Sequence, residues 1–251
     1  MSDLPSVNLV ASKLPSQGKC YPDNFEATYR SYSFGEIKYA STSDLNEKQS
    51  LELVLKGVKT SMPKGDFTLS DVLFIGLLRK ISSLGTAKVQ VPYTHPQTKK
   101  TEYHIFSLDD IEFYDMEAPK LPVSVELSDG KTYSFMPLTV KSYLNLVKRG
   151  KANDVVALYA AMCINHDFND SYNFFNNTTD REDGEILEEI DSLLSHGIKP
   201  LNVKYTVNIN GKEVEKTLKL RVEGRQALLL PFREKGKSVR DRICFGTTSE
   251  H

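Results

Sequence analysis

The sequence predicts an α+β protein of two lobes, in each of which antiparallel β-hairpins pack with helices. Asp-Gly at 129–130 and Asn-Gly at 210–211 stand between alternating apolar runs, and both dipeptides tolerate the positive φ angles of tight hairpin turns. Between 69 and 84, apolar residues recur at three- and four-residue steps, which is typical of an amphipathic helix. Two prolines and a change of composition at 116–122 indicate a linker, so we place the division between the lobes there.

These features divide the 251 residues into four segments. The N-terminal segment, 1–22, is rich in Ser, Pro and Gly and is expected to be extended. The first lobe covers 23–115, the second lobe covers 116–232, and a charged tail covers 233–251. A chain of this length can bury a substantial core.

The composition excludes several classes of function. The 32 basic and 33 acidic side chains nearly cancel, so the totals give no general attraction to nucleic acid or to anionic lipid. The three cysteines are widely spaced and form no Cys-x-x-Cys pair, which is typical of a protein from a reducing compartment without a disulfide framework. The sequence has no signal-peptide pattern and no run of about 18 apolar residues, so we expect a cytoplasmic protein without a membrane span.

The central element is a helix that begins near Thr68. Its first residues fit the pattern in which an N-cap hydroxyl and an acid three residues later, here Asp71, satisfy the free N–H groups of the first turn. The apolar spacing predicts one buried face and places four polar residues on the exposed face: Asp71, Arg79, Lys80 and Ser82. Gly85 is predicted to end the helix with a positive φ angle, and a strand from Lys88 is predicted to return along 102–106 as a hairpin.

Three stretches precede this helix. At 14–22, prolines bias Leu14 and Tyr21 away from helical backbone while Gly18 permits a turn, so this stretch either lies across the first lobe or awaits a partner. The aromatic and alternating residues at 26–41 predict strands or a hairpin that turns near Gly35. Capping residues at 43–47 then predict a helix that continues through Val58.

The second lobe is predicted to alternate hairpins and helices, with one long polar loop. Its elements are a hairpin at 123–135, helices after 139 and over 154–164, a loop rich in Asn, Asp and Phe at 165–179, a helix with an acidic polar face over 186–194, and a hairpin at 203–222. A helix followed by a hairpin occurs at 69–106 and again at 185–222. We favour a common supersecondary pairing over an internal duplication.

Several of these motifs together resemble the T4-type bacteriophage baseplate family, in particular its hub assembly proteins. They are Leu-Pro-Ser-x-Gly-x-x-Tyr-Pro at 14–22, an aromatic strand pair, a helix start near Asn46, and Leu-Leu-Arg-Lys-Ile-Ser-Ser-Leu-Gly at 77–85 before a hairpin. The resemblance covers mainly 14–113. It implies a non-enzymatic assembly factor, a chaperone or scaffold, that binds other baseplate hub proteins in the cytoplasm of the infected host. The alternative is a structural subunit that stays in the finished baseplate.

The candidate metal ligands are few. Some members of the family carry cysteine pairs in the hairpin after the helix, whereas 91–96 has none here. His95 and His104 stand on opposite arms of the predicted hairpin, but no neighbouring His or Cys completes the four ligands that zinc prefers. The acids at 109–112 and at 180–183 lack the spacing of a calcium loop and are interpreted as solvated loops. We therefore predict no metal and no cofactor.

Neither catalysis nor nucleic-acid binding is predicted. Cys163 and His166 resemble a nucleophile and a base, but Cys163 lies in an apolar helical run where a thiol usually serves as a small core residue. No phosphate-binding glycine loop or hydrolase motif is present in the sequence. The basic stretch at 233–242 lacks interleaved aromatic residues, so a solvated tail is favoured over a nucleic-acid contact.

Protein–protein contacts are the remaining class of function, and two stretches are predicted to make them. The aromatic side chains in the loop at 165–179 stand among Asn and Asp residues, and exposed aromatic residues favour a protein contact. The motif at 14–22 is the second stretch. The predicted partner-binding residues are Leu14, Pro15, Ser16, Gly18, Tyr21, Pro22, Phe174 and Phe175.

Overall fold

The computed structural model of the chain describes residues 5–43, 45–84, 88–107, 112–209 and 211–220. Helices and antiparallel strand pairs account for most of these residues, which confirms the predicted α+β class. The predictions for Gly85, for the acids at 109–110 and for the tail at 233–251 lie outside the described residues. The division into four segments stays a prediction.

The N-terminal part of the chain combines three short strands with three helices. The strands β1 (Ser6–Asn8), β2 (Ala27–Arg30) and β3 (Val58–Thr60) form one antiparallel sheet in that order. The helices are α1 (Phe34–Thr42), α2 (Glu47–Lys56) and α3 (Leu69–Leu84). Val58, which was expected to lie in the helix that follows 43–47, instead belongs to β3, because α2 ends at Lys56 and Gly57 is its C-cap.

The remaining elements are hairpins, one further strand pair and four helices. The strands are β4 (Lys88–Thr94), β5 (Thr101–Ser107), β6 (Phe113–Tyr114), β7 (Val123–Glu126), β8 (Thr132–Phe135), β9 (Gly197–Ile198), β10 (Leu201–Ile209) and β11 (Lys212–Leu220). The helices are α4 (Val140–Lys148), α5 (Val155–Met162), α6 (Phe168–Asn177) and α7 (Arg181–Leu194). Three of the predicted hairpins are confirmed, as β4–β5, β7–β8 and β10–β11.

The chain from 34 to 42 is a helix, so the prediction of strands there is wrong. Ser33 and Glu36 form a capping box, in which the Ser33 hydroxyl accepts from the Glu36 N–H and the Glu36 carboxylate accepts from the Ser33 N–H. This local signal outweighs the aromatic alternation. Ile37 and Ala40 face a small core with Tyr32, Leu45 and Leu53.

The prediction of a loop at 165–179 is also wrong, because most of this stretch forms α6. The carboxylate of Asp167 accepts from the Asn169 N–H and caps the helix start. Phe168, Tyr172 and Phe175 then recur at steps of four and three, and all three pack against one apolar cluster. The Asn and Asp residues occupy the opposite, solvated face of this helix.

The polar residues of α3 are not on a solvated face, which corrects a third prediction. Asp71, Arg79 and Lys80 are buried, and only Ser82 is exposed. The helix is covered on two sides, since Val72 and Ile75 belong to one apolar cluster and Leu77 to another. Burial lowers the pKa of the Lys80 ammonium to about 7.

Two large apolar clusters form the core. The first unites the N-terminal segment, the three-stranded sheet, α2 and α3, and includes Leu9, Leu14, Tyr21, Phe67, Ile75 and Val140. The second unites β7, β8 and helices α5 to α7, and includes Met116, Phe135, Phe175, Leu187 and Ile190. Cys20 packs against both clusters. The N-terminal segment therefore lies where the two clusters approach each other.

Candidate functional site

The motif at 14–22 folds into a bend of successive turns. The Gln17 N–H donates to the Leu14 carbonyl at 2.7 Å, and the Tyr21 N–H donates to the Gly18 carbonyl at 3.0 Å. Gln17 and Gly18 both have positive φ angles, 55° and 75°. A Cβ atom on Gly18 would lie 2.8 Å from the Cβ atom of Ala11, so both the backbone conformation and the available space require glycine there.

The close packing of this bend leads to a testable prediction about Gly18. We expect Gly18→Val to lower the free energy of unfolding by about 2 kcal/mol or more, because the valine meets both a positive φ angle and Ala11. Gly150→Val is the matched control, since Gly150 has a φ angle of 68° and a Cβ atom added there would meet no other atom within 4 Å. Urea denaturation of both variants measures the difference. A loss at Gly18 no larger than that at Gly150 would contradict the close approach to Ala11.

Asp71 fastens the motif to the start of α3. Its fully buried carboxylate accepts the Ser16 N–H at 3.0 Å and the Tyr21 hydroxyl at 2.5 Å. Both are hydrogen bonds to a charged acceptor, the stronger kind in a buried setting. Burial, followed by the charge and the hydrogen bond of Asp71, raises the pKa of Tyr21. Asp71 was predicted to cap its own helix, but it binds the N-terminal motif instead.

Thr68 connects this network to the end of α7. Its hydroxyl oxygen accepts from the Asp71 N–H at 3.2 Å and lies 3.0 Å from Nε2 of His196. Nδ1 of the buried His196 lies 2.7 Å from the Leu194 carbonyl. Because a carbonyl only accepts, Nδ1 carries a proton there, and the ring is held between the two helices. Residues far apart in the sequence thus share one buried polar network.

The motif also reaches the second apolar cluster through backbone contacts. The Lys19 ammonium donates to the carbonyls of Met116 and Ala118 at 2.8 and 3.1 Å. The Met116 N–H in turn donates to the Pro15 carbonyl at 3.3 Å. These bonds tie the predicted linker at 116–122 to the N-terminal segment.

The predicted partner-binding residues of the motif mostly face the interior of this chain. Leu14, Pro15, Ser16 and Tyr21 are buried, whereas Pro22 is exposed and Gly18 is partly exposed. Of the two alternatives for 14–22, the structure places the segment across the first apolar cluster. Partner binding by the exposed positions of this stretch stays a prediction.

A second buried network surrounds Arg79, which is fully buried in α3. Its guanidinium donates to the carbonyls of Leu53 and Val54 at 2.7 and 2.6 Å. These carbonyls belong to the last turn of α2, where helical partners are missing, and Lys64 donates to the next one, on Leu55, at 2.7 Å. Arg79 and Lys64 therefore cap the C-terminal end of α2, where positive charge is also favoured by the helix dipole.

Arg79 is paired with an acid and an aromatic ring as well. Its Nη2 atom lies 3.2 Å from Oε2 of Glu36, and its Cζ atom lies 3.9 Å from the centre of the Tyr32 ring. Arg30 binds the same carboxylate with both terminal nitrogens at 2.7 and 2.8 Å. A Cβ atom on Gly57 would overlap the guanidinium of Arg79, so glycine leaves the space that this group fills. This site was not predicted from the sequence, in which Ser-x-x-Glu at 33–36 is its one visible signal.

Glu36 makes the stability of this network depend on pH. Burial alone would raise its pKa, but hydrogen bonds from Arg30 and the Ser33 N–H and the charges of both arginines lower it to about 2. A lowered pKa in the folded state stabilises the protein above the unfolded value, near 4.5, and this contribution is lost as the pH falls toward 2.

We therefore expect the stability difference between the wild type and Glu36→Gln to shrink as the pH falls. The expected change is roughly 2 kcal/mol between about pH 6 and pH 3, measured by urea denaturation. Glu52→Gln is the control, because Glu52 is 59% exposed and its pair with Lys48 is a surface contact. If the free energy of unfolding varied with pH in the same way for the wild type and Glu36→Gln, the arginines would not hold the Glu36 carboxylate in its charged form.

The aromatic residues of α6 pack on the β7–β8 hairpin. Phe175 is 6% exposed, and its ring centre lies 5.3 Å from that of Tyr133 and 6.0 Å from that of Phe135. Phe174 is half-buried and stacks on Tyr133 at 5.5 Å. The premise of exposed aromatic residues on a loop is therefore wrong, most clearly for Phe175.

One acid of the predicted solvated stretch at 180–183 is also buried. Asp183 accepts from the N–H and the hydroxyl of Ser128 at 2.9 and 2.6 Å, and from the Thr178 hydroxyl at 2.6 Å. Burial raises its pKa, but these hydrogen bonds outweigh that effect and lower it. Asp183 thus joins α7 to the turn of the β7–β8 hairpin.

The two histidines of the β4–β5 hairpin have separate surroundings. Nδ1 of His95 accepts from the N–H groups of Gln97 and Thr98, both at 3.2 Å, so Nε2 carries the proton toward the Thr206 carbonyl at 3.3 Å. The His104 ring instead packs on Phe106, with 4.6 Å between ring centres. In the described part of the chain, no three His, Cys, Asp or Glu side chains are grouped as metal ligands.

Cys163 and His166 do not form a nucleophile and base. The Cys163 thiol donates to Oδ1 of Asn165 at 3.4 Å, whereas Nε2 of His166 lies 2.9 Å from the Thr132 carbonyl. The His166 ring packs on Tyr133, with 4.5 Å between ring centres. Cys163 itself lies in the second apolar cluster, as the sequence favoured.

Comparisons of this chain with protein-family models, with curated proteins and with solved structures found no match. Within the described residues, no helix has the length and apolar character needed to cross a membrane.

Proposed function

We propose that this chain is a non-enzymatic assembly factor, a chaperone or scaffold, for the hub of a bacteriophage tail baseplate. It would act through contacts with other hub proteins in the cytoplasm of the infected host. The observation that supports this proposal is the contact between two of the motifs on which the resemblance rests, the motif at 14–22 and the helix that contains 77–84, whereas the predicted aromatic strand pair is replaced by α1. The motif at 14–22 is bound by Asp71 of α3, and α3 leads into the β4–β5 hairpin, so these pieces form one folded unit.

The surface of the hairpins offers places for such contacts. Ile105 on β5, Ile209 on β10 and Val214 on β11 are 50%, 43% and 38% exposed. Hairpin edges can bind a strand of another protein through their backbone groups, with side chains adding specificity. The candidate nucleophile and base, in contrast, contact other groups and not each other.

The proposal is tested by affinity purification of the tagged chain from phage-infected cells and by mass spectrometry of purified virions. Enrichment of hub proteins with the chain, together with its absence from virions, is the result expected of an assembly factor. Stoichiometric retention in virions would instead establish the alternative, a structural subunit of the baseplate. Purification without any hub protein, from infected cells in which the hub assembles, would overturn both.

The experiment is extended with a variant in which the motif at 14–22 is destabilised. Gly18→Val serves, because Gly18 lies against Ala11 inside the N-terminal bend. A hub contact that depends on the folded motif should weaken in this variant. An exposed substitution such as Ser82→Ala should leave the purified set of proteins unchanged.

A further inference from the structure

The hairpin formed by β10 and β11 has two different edges. On the β10 edge, the Gln97 side chain accepts from the Asn208 N–H at 3.2 Å and donates to the Asn208 carbonyl at 3.1 Å. His95 approaches the Thr206 carbonyl on the same edge. The backbone groups of 206 and 208 therefore point away from β11, toward the turn of the β4–β5 hairpin.

The register then fixes which backbone groups of β11 point outward. Thr206 pairs with Glu215 and Asn208 with Glu213, so these are pairs without mutual hydrogen bonds, and the same holds for every second residue along the strand. The N–H and C=O groups of Glu213, Glu215, Thr217 and Lys219 thus point away from β10. Among the described strands, β11 is paired with β10 alone.

Such an edge is a template for another strand, and proteins usually cover, shorten or charge it. The described side chains of β11 are exposed or partly exposed along the whole strand. Both positive and negative side chains are present from Lys212 to Lys219, so the charges do not form one repulsive block. This arrangement permits pairing with a strand of matching pattern.

We propose that the β11 edge pairs with the β11 edge of a second copy of this chain, antiparallel about a two-fold axis at Thr217. In this register Glu215 lies opposite Lys219 of the second copy, and the same ion pair recurs on the other side of the axis. Thr217 lies opposite itself, and Val214 lies opposite Leu220. Opposite charges, paired threonines and paired apolar residues all stabilise directly opposed strand positions.

Like charges disfavour the registers with an axis at Lys216 or Glu215, whereas an axis at Leu218 pairs only 216–220 of the described strand and brings no opposite charges together. An axis at Lys216 would set two lysines opposite each other, and an axis at Glu215 would set two glutamates opposite each other, both of which destabilise a strand pair. With the axis at Thr217, Lys216 lies opposite Leu218, and no directly opposed positions within 214–220 carry the same charge. The outward backbone groups also meet in this register, because odd-numbered residues pair with odd-numbered residues.

The occupant is a second copy because the strand is complementary to itself under two-fold symmetry. A closed two-fold contact uses the same patch on both subunits, so one strand supplies both halves of each ion pair. The resulting four-stranded sheet would be continuous from β10 through both β11 strands. Since residues 214–220 form a small contact area, the dimer is expected to dissociate in the micromolar range or above. This inference stands independently of the proposed function.

Sedimentation equilibrium of the full chain at about 5 to 200 µM tests the dimer and its register. The single reversals Glu215→Lys and Lys219→Glu each place like charges opposite each other at both ends of the pairing. Each is expected to raise the dimer dissociation constant at least about tenfold. The double variant restores opposite charges in swapped order, and its dissociation constant should return to within about threefold of the wild type.

Two controls separate the edge from general effects of charge. Lys212→Glu makes the same charge reversal as Lys219→Glu, but at a position outside 214–220. It should leave the dissociation constant of the dimer unchanged. Thr217→Pro removes one outward N–H and should abolish the dimer, while circular dichroism checks that the monomer remains folded. Glu215 also pairs with Lys204 within the chain, but both side chains are more than half exposed, so loss of that pair has little effect on folding.

The proposal is overturned by a wild type that stays monomeric over the whole concentration range. It is also overturned by single reversals that leave the dimer intact, since the contact would then lie elsewhere. Failure of the double variant to restore the dimer would reject the register with its axis at Thr217. Restoration by the double variant supports the β11 edge and this register together.

Discussion

Replacement of Arg79 by methionine should lower the free energy of unfolding by about 3–5 kcal/mol, as is typical when one partner of a buried charged pair is removed. Methionine fills much of the volume but donates no hydrogen bond. The carbonyls of Arg30, Leu53 and Val54 would each lose their Arg79 donor, and Glu36 would lose one of its two arginines. Buried acceptors without a donor retain the full cost of their desolvation.

Urea denaturation measures this loss, with two comparisons. Ser82→Ala on the same helix is exposed and should change the free energy of unfolding by less than about 0.5 kcal/mol. Arg79→Lys keeps the charge but not the planar arrangement of donors, so it should fall between the methionine variant and the wild type. If Arg79→Met were as stable as the wild type, the end of α2 would not depend on the guanidinium.

Arg79 also shows why this part of the structure was not predictable from the sequence. The spacing of apolar residues in α3 identified a helix with one buried face, and that face is indeed buried. The apolar periodicity of α3 carries no information about what packs against the opposite face of the helix. There, β2, α1 and the end of α2 supply carbonyls and an acid, so a charged side chain is buried with its partners. Such a site depends on elements that are distant in the sequence.

Turn dipeptides in the sequence predicted hairpins correctly, whereas two helix caps were not used as signals. The β7–β8 and β10–β11 hairpins were identified from Asp-Gly and Asn-Gly dipeptides that tolerate positive φ angles, and Gly130 and Gly211 adopt φ angles of 72° and 80°. Helices α1 and α6 were missed although their caps, Ser33 with Glu36 and Asp167, stand in the sequence. Aromatic alternation in one case and an abundance of Asn and Asp in the other were weighted above the caps.

The burial of most candidate partner-binding residues was missed for a related reason. Phe174 and Phe175 were placed on a surface because their neighbours in the sequence are polar, whereas the capped helix turns the two rings toward the β7–β8 hairpin. In the motif at 14–22, the small and aromatic residues serve the fold, since Asp71 binds the Ser16 backbone and the Tyr21 hydroxyl. The same residue types are used at interfaces and in cores, so composition alone does not separate the two.

The double variant Phe174→Ser with Phe175→Ser should therefore lose about 4 kcal/mol or more of its free energy of unfolding. A large-to-small change at a buried phenylalanine costs about 3–5 kcal/mol, and Phe175 is 6% exposed among Tyr133 and Phe135. The half-buried Phe174 adds the loss of its stacking on Tyr133. Serine also places a hydroxyl in the apolar cluster, which is a further cost unless the hydroxyl finds a hydrogen-bond partner.

Phe34→Ser is the matched control, because Phe34 is 82% exposed and lies at the start of α1. It makes the same chemical change on the surface, where the expected effect is within about 0.5 kcal/mol. Thermal unfolding of both variants should be paired with affinity purification of the proposed hub partners. A lowered and broadened melting transition for the double variant alone means that the rings hold α6 to the hairpin. If the melting transition of the double variant were unchanged and its binding of the proposed hub partners were weakened, the two phenylalanines would form a contact surface. This outcome would contradict the prediction that they stabilise the fold.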